Sequence, residues 1–487
     1  MSGVAHRVLL ATWLCASVGC ASGAPRALPQ QPHAVPTELS SKSREAPTPA
    51  APAVANKTDQ SATAEREVAR ALKYVSALRE LAPLAPVRGR VVSRDEMVAF
   101  VERDLDTQIP PAVVTASGEI LFALGTVPAS FDYRRGLLDV MRAELLGFYE
   151  PHEKTMFIGA DLHGQELDST LWHELVHALQ DQHYGLEKLL TFADDAGDWQ
   201  SAVHALAEGD ATSAMMDAML APKGARAPDL PDSVMDLQSA LSAGLVGQVP
   251  AIIKRSVVAP YVDGLSFVNS LRRRGGWAAV DAAWQRLPTS TEQVLHLEKY
   301  ESNEGSALLP ALDAPTSELG HLTYSDIYGE ETLRVLFEEW MPAGAAHEAA
   351  AGWGGDRVAA FSDGALTAVG WTIRYDTDSG ALRGLRAFAR GALSPEDSVL
   401  DSRGRLADFV AGADAERATQ IGQVCRERHT RGPFAVLRHG HDLAVTLGPF
   451  RRNSGSAASE GDCVGALKWA RALLTRLALV KIMSKIR

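Results

Sequence analysis

One short segment, STLWHELVHALQDQHYG from Ser169 to Gly185, restricts what this chain can fold into more than any other part of it. Its apolar residues leave little of a helix for solvent, yet it carries three histidines, a glutamate and an aspartate. A buried helix keeps ionisable side chains only when they are paired or bound to a metal. The segment therefore predicts a helix with an internal polar site, capped by Asp168 or Ser169 and ended by Gly185.

The centre of this segment has the pattern H-E-x-x-H, formed by His173, Glu174 and His177. Residues four apart lie on the same face of a helix, so both imidazoles can present a nitrogen to one zinc ion. Glu174 is rotated by about 100° around the helix and can take a proton from a water on that ion. The pattern predicts zinc with Glu174 as general base; a hydrogen-bonded pair of core histidines is the structural alternative.

A catalytic zinc site takes three protein ligands and keeps one position open. Glu208, in the segment SAVHALAEGDATSAM, is the best candidate for the third ligand. Gly209 beside it is tolerable in a helix if two helices must approach closely so that the carboxylate reaches the metal. His204, four residues earlier on the same face, is a rival ligand or a partner of the ligand. A solvated acidic patch of Glu208 and Asp210 is the alternative.

Ligand histidines are normally oriented by a second hydrogen bond from their other ring nitrogen. Asp181 lies four residues after His177 on the same helix face, and Asp210 lies close to Glu208 in the sequence. Either carboxylate can accept a hydrogen bond from an imidazole. For Asp181, an exposed acid at the end of the helix is an equally good interpretation.

The helix HELVHALQD, including Asp181, is similar to the thermolysin-type HELTHA helix, and the chain resembles the gluzincin metallopeptidases. The segments GFYEPHEKTMFIGADL, HELVHALQDQHYGL and ALAEGDAT also resemble uncharacterised bacterial envelope lipoproteins of gluzincin type. The resemblance covers roughly Gly147 to Thr212, although the spacing to Glu208 is longer than in thermolysin. It implies that His173, His177 and Glu208 bind Zn²⁺, that Glu174 is the general base, and that the substrate is a peptide or protein.

In gluzincins a tyrosine or histidine outside the motif stabilises the oxyanion that forms during hydrolysis. Tyr261 in PYVDG and His296 in STEQVLH are the candidates here, against the alternatives of a core aromatic and an ordinary surface histidine. The segment from Gly147 to Ile158 is predicted as a β-hairpin. The resemblance implies that this hairpin binds an extended peptide through backbone hydrogen bonds.

The N-terminus reads as an export signal followed by a tether. Residues 1–20 have one arginine, an apolar run and the sequence SVGC, which resembles a lipobox with Cys20 as the lipidated residue. Plain secretory cleavage is the alternative. Residues 21–62, with seven prolines from Pro25 to Pro52, are predicted to be a disordered linker. The protein is therefore predicted to be anchored by a lipid in the bacterial cell envelope. The resemblance to lipoproteins implies the outer membrane, because the non-acidic residue Ala21 follows the cysteine.

The predicted fold class is α+β. Residues 63–306 are predicted to form a mainly helical zincin-type catalytic domain with a small β-hairpin or sheet, and residues 307–452 a smaller α+β domain. Two hairpins are predicted in the second region, in AAGWGGDRVAAFSDGALTAVGWTIRYDT and GPFAVLRHGHDLAVTLGPF. Residues 453–487 are predicted as a linker, NSGSAASEGD, followed by a basic helix that is docked or frayed.

The net charge and the cysteines limit the classes of function that the chain can have. The formal net charge of −12 over 487 residues counts against nucleic-acid binding. Of four cysteines, only Cys425 and Cys463 lie beyond the N-terminal signal, and they can pair in an oxidising compartment. A zinc peptidase outside the cytoplasm is the leading hypothesis. A non-catalytic zinc-binding envelope adaptor or assembly lipoprotein, and a zinc hydrolase acting on other substrates, remain open.

Overall fold

The computed structural model of the protein describes residues 57–231, 249–393, 422–453 and 456–486. The predicted signal peptide, Cys20 and most of the predicted linker lie outside the described residues. The first helix begins at Lys57, ahead of the predicted start of the folded region at residue 63. Within the described ranges, no helix has both the length and the apolar character needed to cross a membrane.

Helices and strands are both present in number, which confirms the mixed α and β class. The helices are α1 Lys57–Arg79, α2 Arg94–Gln108, α3 Pro111–Leu124, α4 Tyr133–Glu144, α5 Gly164–Tyr184, α6 Leu186–Leu189, α7 Gly197–Leu220, α8 Ala251–Gln285, α9 Thr291–Leu295, α10 Leu297–Ser302, α11 Gly329–Phe337, α12 Ala343–Ala350, α13 Asp378–Leu393 and α14 Cys463–Ile486. The strands are β1 Arg88–Val92, β2 Gly147–Glu150, β3 Thr155–Gly159, β4 His321–Asp326, β5 Trp353–Ser362, β6 Thr367–Tyr375, β7 Gln423–Arg426, β8 Phe434–His439, β9 Asp442–Asn453 and β10 Ser456–Ser459.

A small sheet precedes the helix that carries the H-E-x-x-H pattern. Its strand order is β1-β3-β2, with β1 parallel to β3 and β2 antiparallel to β3. The predicted hairpin from Gly147 to Ile158 is therefore confirmed. Strand β1 was not predicted, because the five residues RGRVV give too short a pattern to recognise. In the fold β1 pairs with β3 and places α2 beside the sheet.

A larger antiparallel sheet fills the second half of the described chain. Its order is β4-β5-β6-β9-β8-β7, with β10 paired to β9. The two predicted hairpins are β5–β6 and β8–β9, and the sheet joins them along β6 and β9. The predicted linker NSGSAASEGD is wrong in part, since Ser456–Ser459 pairs with β9 as a strand.

One apolar core runs across the predicted boundary at residue 306. It contains residues of α3, of the start of α8 and of the large sheet. Phe122 of α3, for example, lies edge-on to Phe450 of β9, with ring centroids 5.4 Å apart. Helix α14 packs on the other face of this sheet through Trp469 and Leu473. A disulfide between Cys425 and Cys463 joins β7 to the start of α14, with Cα atoms 5.8 Å apart.

A second core surrounds the predicted metal-binding helices. It is made by α1, α5, α7, the second half of α8 and the small sheet. Helix α8 is interrupted at Gly275 and Gly276, where the backbone leaves helical geometry and Gly276 has φ of 63°. This glycine pair divides α8 into two helical segments, the first of which begins at Ala251.

Candidate metal centre

Helices α5 and α7 bring together the three predicted zinc ligands. His173 Nε2 lies 3.1 Å from Glu208 Oε2 and 3.2 Å from His177 Nε2, and His177 Nε2 lies 3.5 Å from the same Glu208 oxygen. All three side chains are buried. Among the described residues, this is a group whose nitrogen and oxygen atoms lie close enough together to hold one metal ion.

The spacing of these three atoms suits a small tetrahedral ion. With metal–ligand bonds of about 2.0–2.2 Å, a tetrahedral zinc ion holds its ligand atoms roughly 3.3–3.5 Å apart. The observed separations of 3.1 to 3.5 Å need only minor adjustment to reach that geometry. Two imidazole nitrogens and one carboxylate oxygen are also a donor set that zinc accepts readily.

The fold explains why the ligand helices lie so deep. In α5 the apolar neighbours Leu171, Leu175 and Leu179 are fully buried, and in α7 every residue from 202 to 218 is buried. Gly209 does allow a close helix contact, but the partner is Gly264 of α8. A Cβ atom on either glycine would overlap the backbone of the opposite helix. Helix α8 therefore presses against α7 immediately beside Glu208.

Gln180 holds the ring of His177 in the orientation that a ligand needs. Its Nε2 donates to the Ala207 carbonyl oxygen at 2.9 Å, which turns its Oε1 towards His177 Nδ1 at 2.8 Å. An amide oxygen only accepts, so Nδ1 of His177 carries a proton and Nε2 is the ring nitrogen that can bind a metal. Because Ala207 precedes Glu208, the same amide also ties α5 to α7 at the level of the third ligand.

His204 contacts Glu208 and does not join the three-ligand group. Its Nε2 lies 3.0 Å from Glu208 Oε1, whereas the two ligand histidines face Oε2. Of the two roles considered for His204, the structure therefore places it as the partner of the ligand. One carboxylate oxygen is held by His204, and the other is directed at the metal position.

Glu174 is held next to the group by the small sheet. The backbone N–H of Tyr149 in β2 donates to Glu174 Oε2 at 3.0 Å, and both residues are buried. The Tyr149 hydroxyl in turn donates to Asp181 Oδ2 at 3.0 Å. The hairpin was expected to bind a peptide through its backbone. At Tyr149, however, the backbone N–H bonds to Glu174, because β2 packs directly against α5.

The electrostatics of the group favour a cation. Burial raises the pKa of Glu174 to about 8. Burial opposes a charge on His177, but the negative charge and hydrogen bonds of Glu208 outweigh it and raise the pKa of His177 to about 9. Although burial opposes it, the surrounding histidines hold the pKa of Glu208 well below its usual range. One ionised carboxylate thus lies among imidazoles, and a metal ion can take the place of the His177 proton.

The two carboxylates predicted to orient the ligands have other described partners. Asp181 accepts from the Tyr149 hydroxyl and from Lys154 Nζ, both supplied by the hairpin. Asp210 accepts from Arg79 and from Trp284 Nε1. Two residues turn a helix by about 200°, so Asp210 points away from the side of α7 that bears Glu208.

Sequence reasoning missed Gln180, which does the work assigned to Asp181. A signal was present, since residues three apart also share a helix face and a glutamine is long enough to reach back one turn. A carboxylate was preferred because it is a stronger acceptor for an imidazole N–H. The structure shows why glutamine fits better, since its N–H₂ group must also donate to the Ala207 carbonyl.

The two candidates for oxyanion stabilisation are placed differently. The ring of Tyr261 lies nearly parallel to that of His173, with centroids 5.9 Å apart, so α8 brings it beside the metal ligands. His296 lies between α9 and α10, and its Nε2 is 2.8 Å from Glu330 Oε1 in α11. That hydrogen bond raises the pKa of His296. The described contacts of His296 thus pair it with α11 and do not bring it to the metal group.

A second cluster of acids, Glu292, Glu304 and Asp376, is spaced closely enough for a metal but already has a cation. Lys299 Nζ lies 2.5, 2.8 and 2.6 Å from their carboxylate oxygens, in that order. The ammonium group contacts all three carboxylates and offsets part of their charge. The cluster is therefore an ion-pair network between α9, α10 and the end of β6.

Replacing Gln180 by alanine is expected to weaken zinc binding by about 10- to 100-fold, because His177 loses the acceptor that fixes its tautomer. The measurement is a competition titration with a zinc-chelating dye. Gln165→Ala is the matched control, since Gln165 is an exposed glutamine at the start of the same helix. Equal zinc affinity in wild type and Gln180→Ala would contradict the role assigned to this amide.

Comparison of the chain with protein-family models, with curated proteins and with solved structures gives no match.

Proposed function

We propose that the protein is a zinc-dependent peptidase of gluzincin type, with His173, His177 and Glu208 as the metal ligands. The observation that carries the proposal is the 3.1 to 3.5 Å spacing of three buried donor atoms, with a buried glutamate next to them in the sequence and in space. The order of these residues along α5 and α7 agrees with the resemblance of the chain to gluzincins. A zincin-type arrangement of residues 63–306 belongs to the same proposal.

Zinc, when bound, supplies Lewis-acid activation of a water molecule and of the scissile carbonyl group. Glu174 accepts a proton from the water and passes it to the leaving amine. The Tyr149 N–H holds the Glu174 carboxylate in place for both transfers. Gln180 and His204 keep the ligand atoms turned inward. Tyr261, next to His173, is the candidate donor to the oxyanion.

The proposed location is the outside of the cytoplasmic membrane, with an anchor at a lipidated Cys20 in the bacterial envelope, at its outer membrane. The disulfide between Cys425 and Cys463 supports an oxidising compartment, because such bonds are rare in reducing cytosol. A peptide or protein outside the cytoplasm is the corresponding substrate.

The burial of the whole site favours one alternative, a zinc-binding adaptor or assembly lipoprotein without catalysis. His173, Glu174, His177 and Glu208 are all buried, and a metal withdrawn from solvent in this way can support the fold without taking part in catalysis. In that case the metal would link α5 to α7 and contribute to folding. The proton-transfer role of Glu174 separates the two functions, because an adaptor does not need it.

We expect the purified protein to bind one zinc ion per chain and to cleave members of a peptide library. Both properties should be lost on treatment with a strong chelator, and added zinc should restore them, because a shared ligand set underlies both. Metal content and mass-spectrometric identification of cleaved bonds are the two measurements. A protein that holds zinc but cleaves no peptide would support the adaptor, and one that holds no zinc would contradict both functions.

A further inference from the structure

A pocket that is partly open to solvent lies near the metal centre and plays no part in the function proposed above. It is a cavity of about 330 Å³ between α3, α4, α7, α8, β4 and α11, referred to below as the apolar cavity. Its wall is mainly apolar, with Val113, Leu121, Leu137, Ile253, Val257 and Leu336 among the residues that line it. An apolar wall of this extent favours a ligand that is itself mostly apolar, because polar groups facing it would lose hydrogen bonds.

The size of the apolar cavity indicates what it can hold. For comparison, an enclosed cavity of about 150 Å³ lined only by apolar side chains stays dry and binds benzene. The apolar cavity is about twice as large and falls in the lower part of the range of ligand pockets. Scaled from benzene, which has six carbon atoms, the apolar cavity has room for roughly twelve non-hydrogen atoms.

The polar groups of the wall favour a neutral ligand over a charged one. Asp326 accepts hydrogen bonds from the backbone N–H groups of Gly197 and Ile327 and from the Tyr324 hydroxyl. Burial nevertheless raises the pKa of its carboxyl group, so a charge is disfavoured in this space. Among the described residues, the lining contains no lysine or arginine that could pair with an anion. A neutral polar end can bond to the hydroxyls of Ser201 and Thr332, which also line the cavity.

The apolar cavity lies close to the metal centre along two helices. Ser201 is three residues before His204 in α7, and Val257 is four residues before Tyr261 in α8. One helical turn of about 5.4 Å thus separates the wall of the cavity from residues of the metal centre. The two sites share these helices, but the wall of the cavity includes none of the proposed zinc ligands.

We propose that the apolar cavity binds a neutral aliphatic chain of about ten to twelve carbon atoms, such as the chain of a medium-length alcohol or uncharged acyl ester. The apolar wall supplies the binding energy, the volume sets the chain length, and the burial of the wall without a described basic residue sets the preference for a neutral end. This site does not depend on zinc or on peptide hydrolysis.

The test measures binding of straight-chain alcohols to the wild-type protein by calorimetry, below their critical aggregation concentrations. Affinity should rise about fourfold for each methylene from 1-hexanol to 1-decanol, because each buries its apolar surface. Beyond about twelve carbons it should rise no further. Decanoate should bind at least tenfold more weakly than 1-decanol. Affinity that continues to rise with chain length, or equal binding of decanoate, would overturn the proposal.

Two variants locate the binding site. Ser117→Phe should fill the apolar cavity and remove 1-decanol binding, since the Ser117 hydroxyl bonds only to the Val113 carbonyl of its own helix. Thr115→Phe is the matched control, because Thr115 lies on the same helix, is exposed and makes the same kind of bond to Pro111. Leu137→Ala should instead move the length limit to chains two or three carbons longer. Wild-type binding by a folded Ser117→Phe variant, or an unchanged limit in Leu137→Ala, would place the ligand elsewhere.

Discussion

Replacing Glu174 by glutamine is expected to reduce kcat/KM for peptide hydrolysis by about 100- to 10,000-fold, the usual contribution of a general base. Glutamine has the same shape and can still accept the hydrogen bond from the Tyr149 N–H. It cannot take a proton from water. The three ligand atoms are untouched, so the variant should still bind one zinc ion per chain. Steady-state kinetics on a cleaved peptide and metal analysis of the same sample measure the two properties.

Glu166→Gln is the control for this substitution, because Glu166 lies in the first turn of the same helix and is exposed. It should leave both hydrolysis and zinc content unchanged. Full activity in Glu174→Gln would rule out the proposed mechanism. If wild type and Glu174→Gln restored a deletion phenotype equally well, the adaptor function would be favoured over the peptidase.

Replacing Arg79 by methionine is expected to lower the free energy of unfolding by about 3–5 kcal/mol, because it leaves a buried carboxylate without its cation. The side chains of Arg79 and Asp210 are both fully buried and joined by a salt bridge. Arg79 also bonds to Asp281 and lies over the ring of Trp277, 4.5 Å from its centroid. These contacts hold α1 against α7 and α8. Denaturant unfolding followed by circular dichroism measures the change.

A second variant shows whether the unpaired charge causes the loss. Asp210→Asn added to Arg79→Met should recover much of the stability, since a neutral amide still accepts from Trp284 Nε1 and needs no cation. Arg70→Met provides a control on the same helix, because its salt bridge to Glu67 is largely exposed. Such a pair contributes less than about 1 kcal/mol. Equal losses in Arg70→Met and Arg79→Met would contradict the explanation.

The features that sequence predicted well are those set by local periodicity. The spacing of four between His173 and His177 places both rings on one face of any helix, and the apolar residues around them require that helix to be buried. The hairpins were also visible, because short apolar runs on both sides of a turn pair with each other. Glu208 was found because a carboxylate with small neighbours is unusual in a buried helix.

The features that sequence predicted poorly depend on contacts between elements. Asp181 and Asp210 were expected to accept a hydrogen bond from an imidazole. In the structure Asp181 accepts from Tyr149 and Lys154, and Asp210 accepts from Arg79. These donors come from distant parts of the chain. Spacing along one helix could not predict these donors, because they belong to other elements of the fold. The separate second domain was inferred from a change in composition, whereas the shared core depends on which face of α3 meets the large sheet.

By itself, the sequence determined that this chain buries two histidines and a glutamate at helical spacing and brings a second glutamate from a later helix. Helical geometry and the cost of burying charge are sufficient for that conclusion. Only the tertiary structure decided how the ligands are held. The Gln180 amide bridges His177 and Ala207, and Gly209 meets Gly264 so that α8 places Tyr261 beside His173. These contacts join residues far apart in the chain, so no local pattern encodes them.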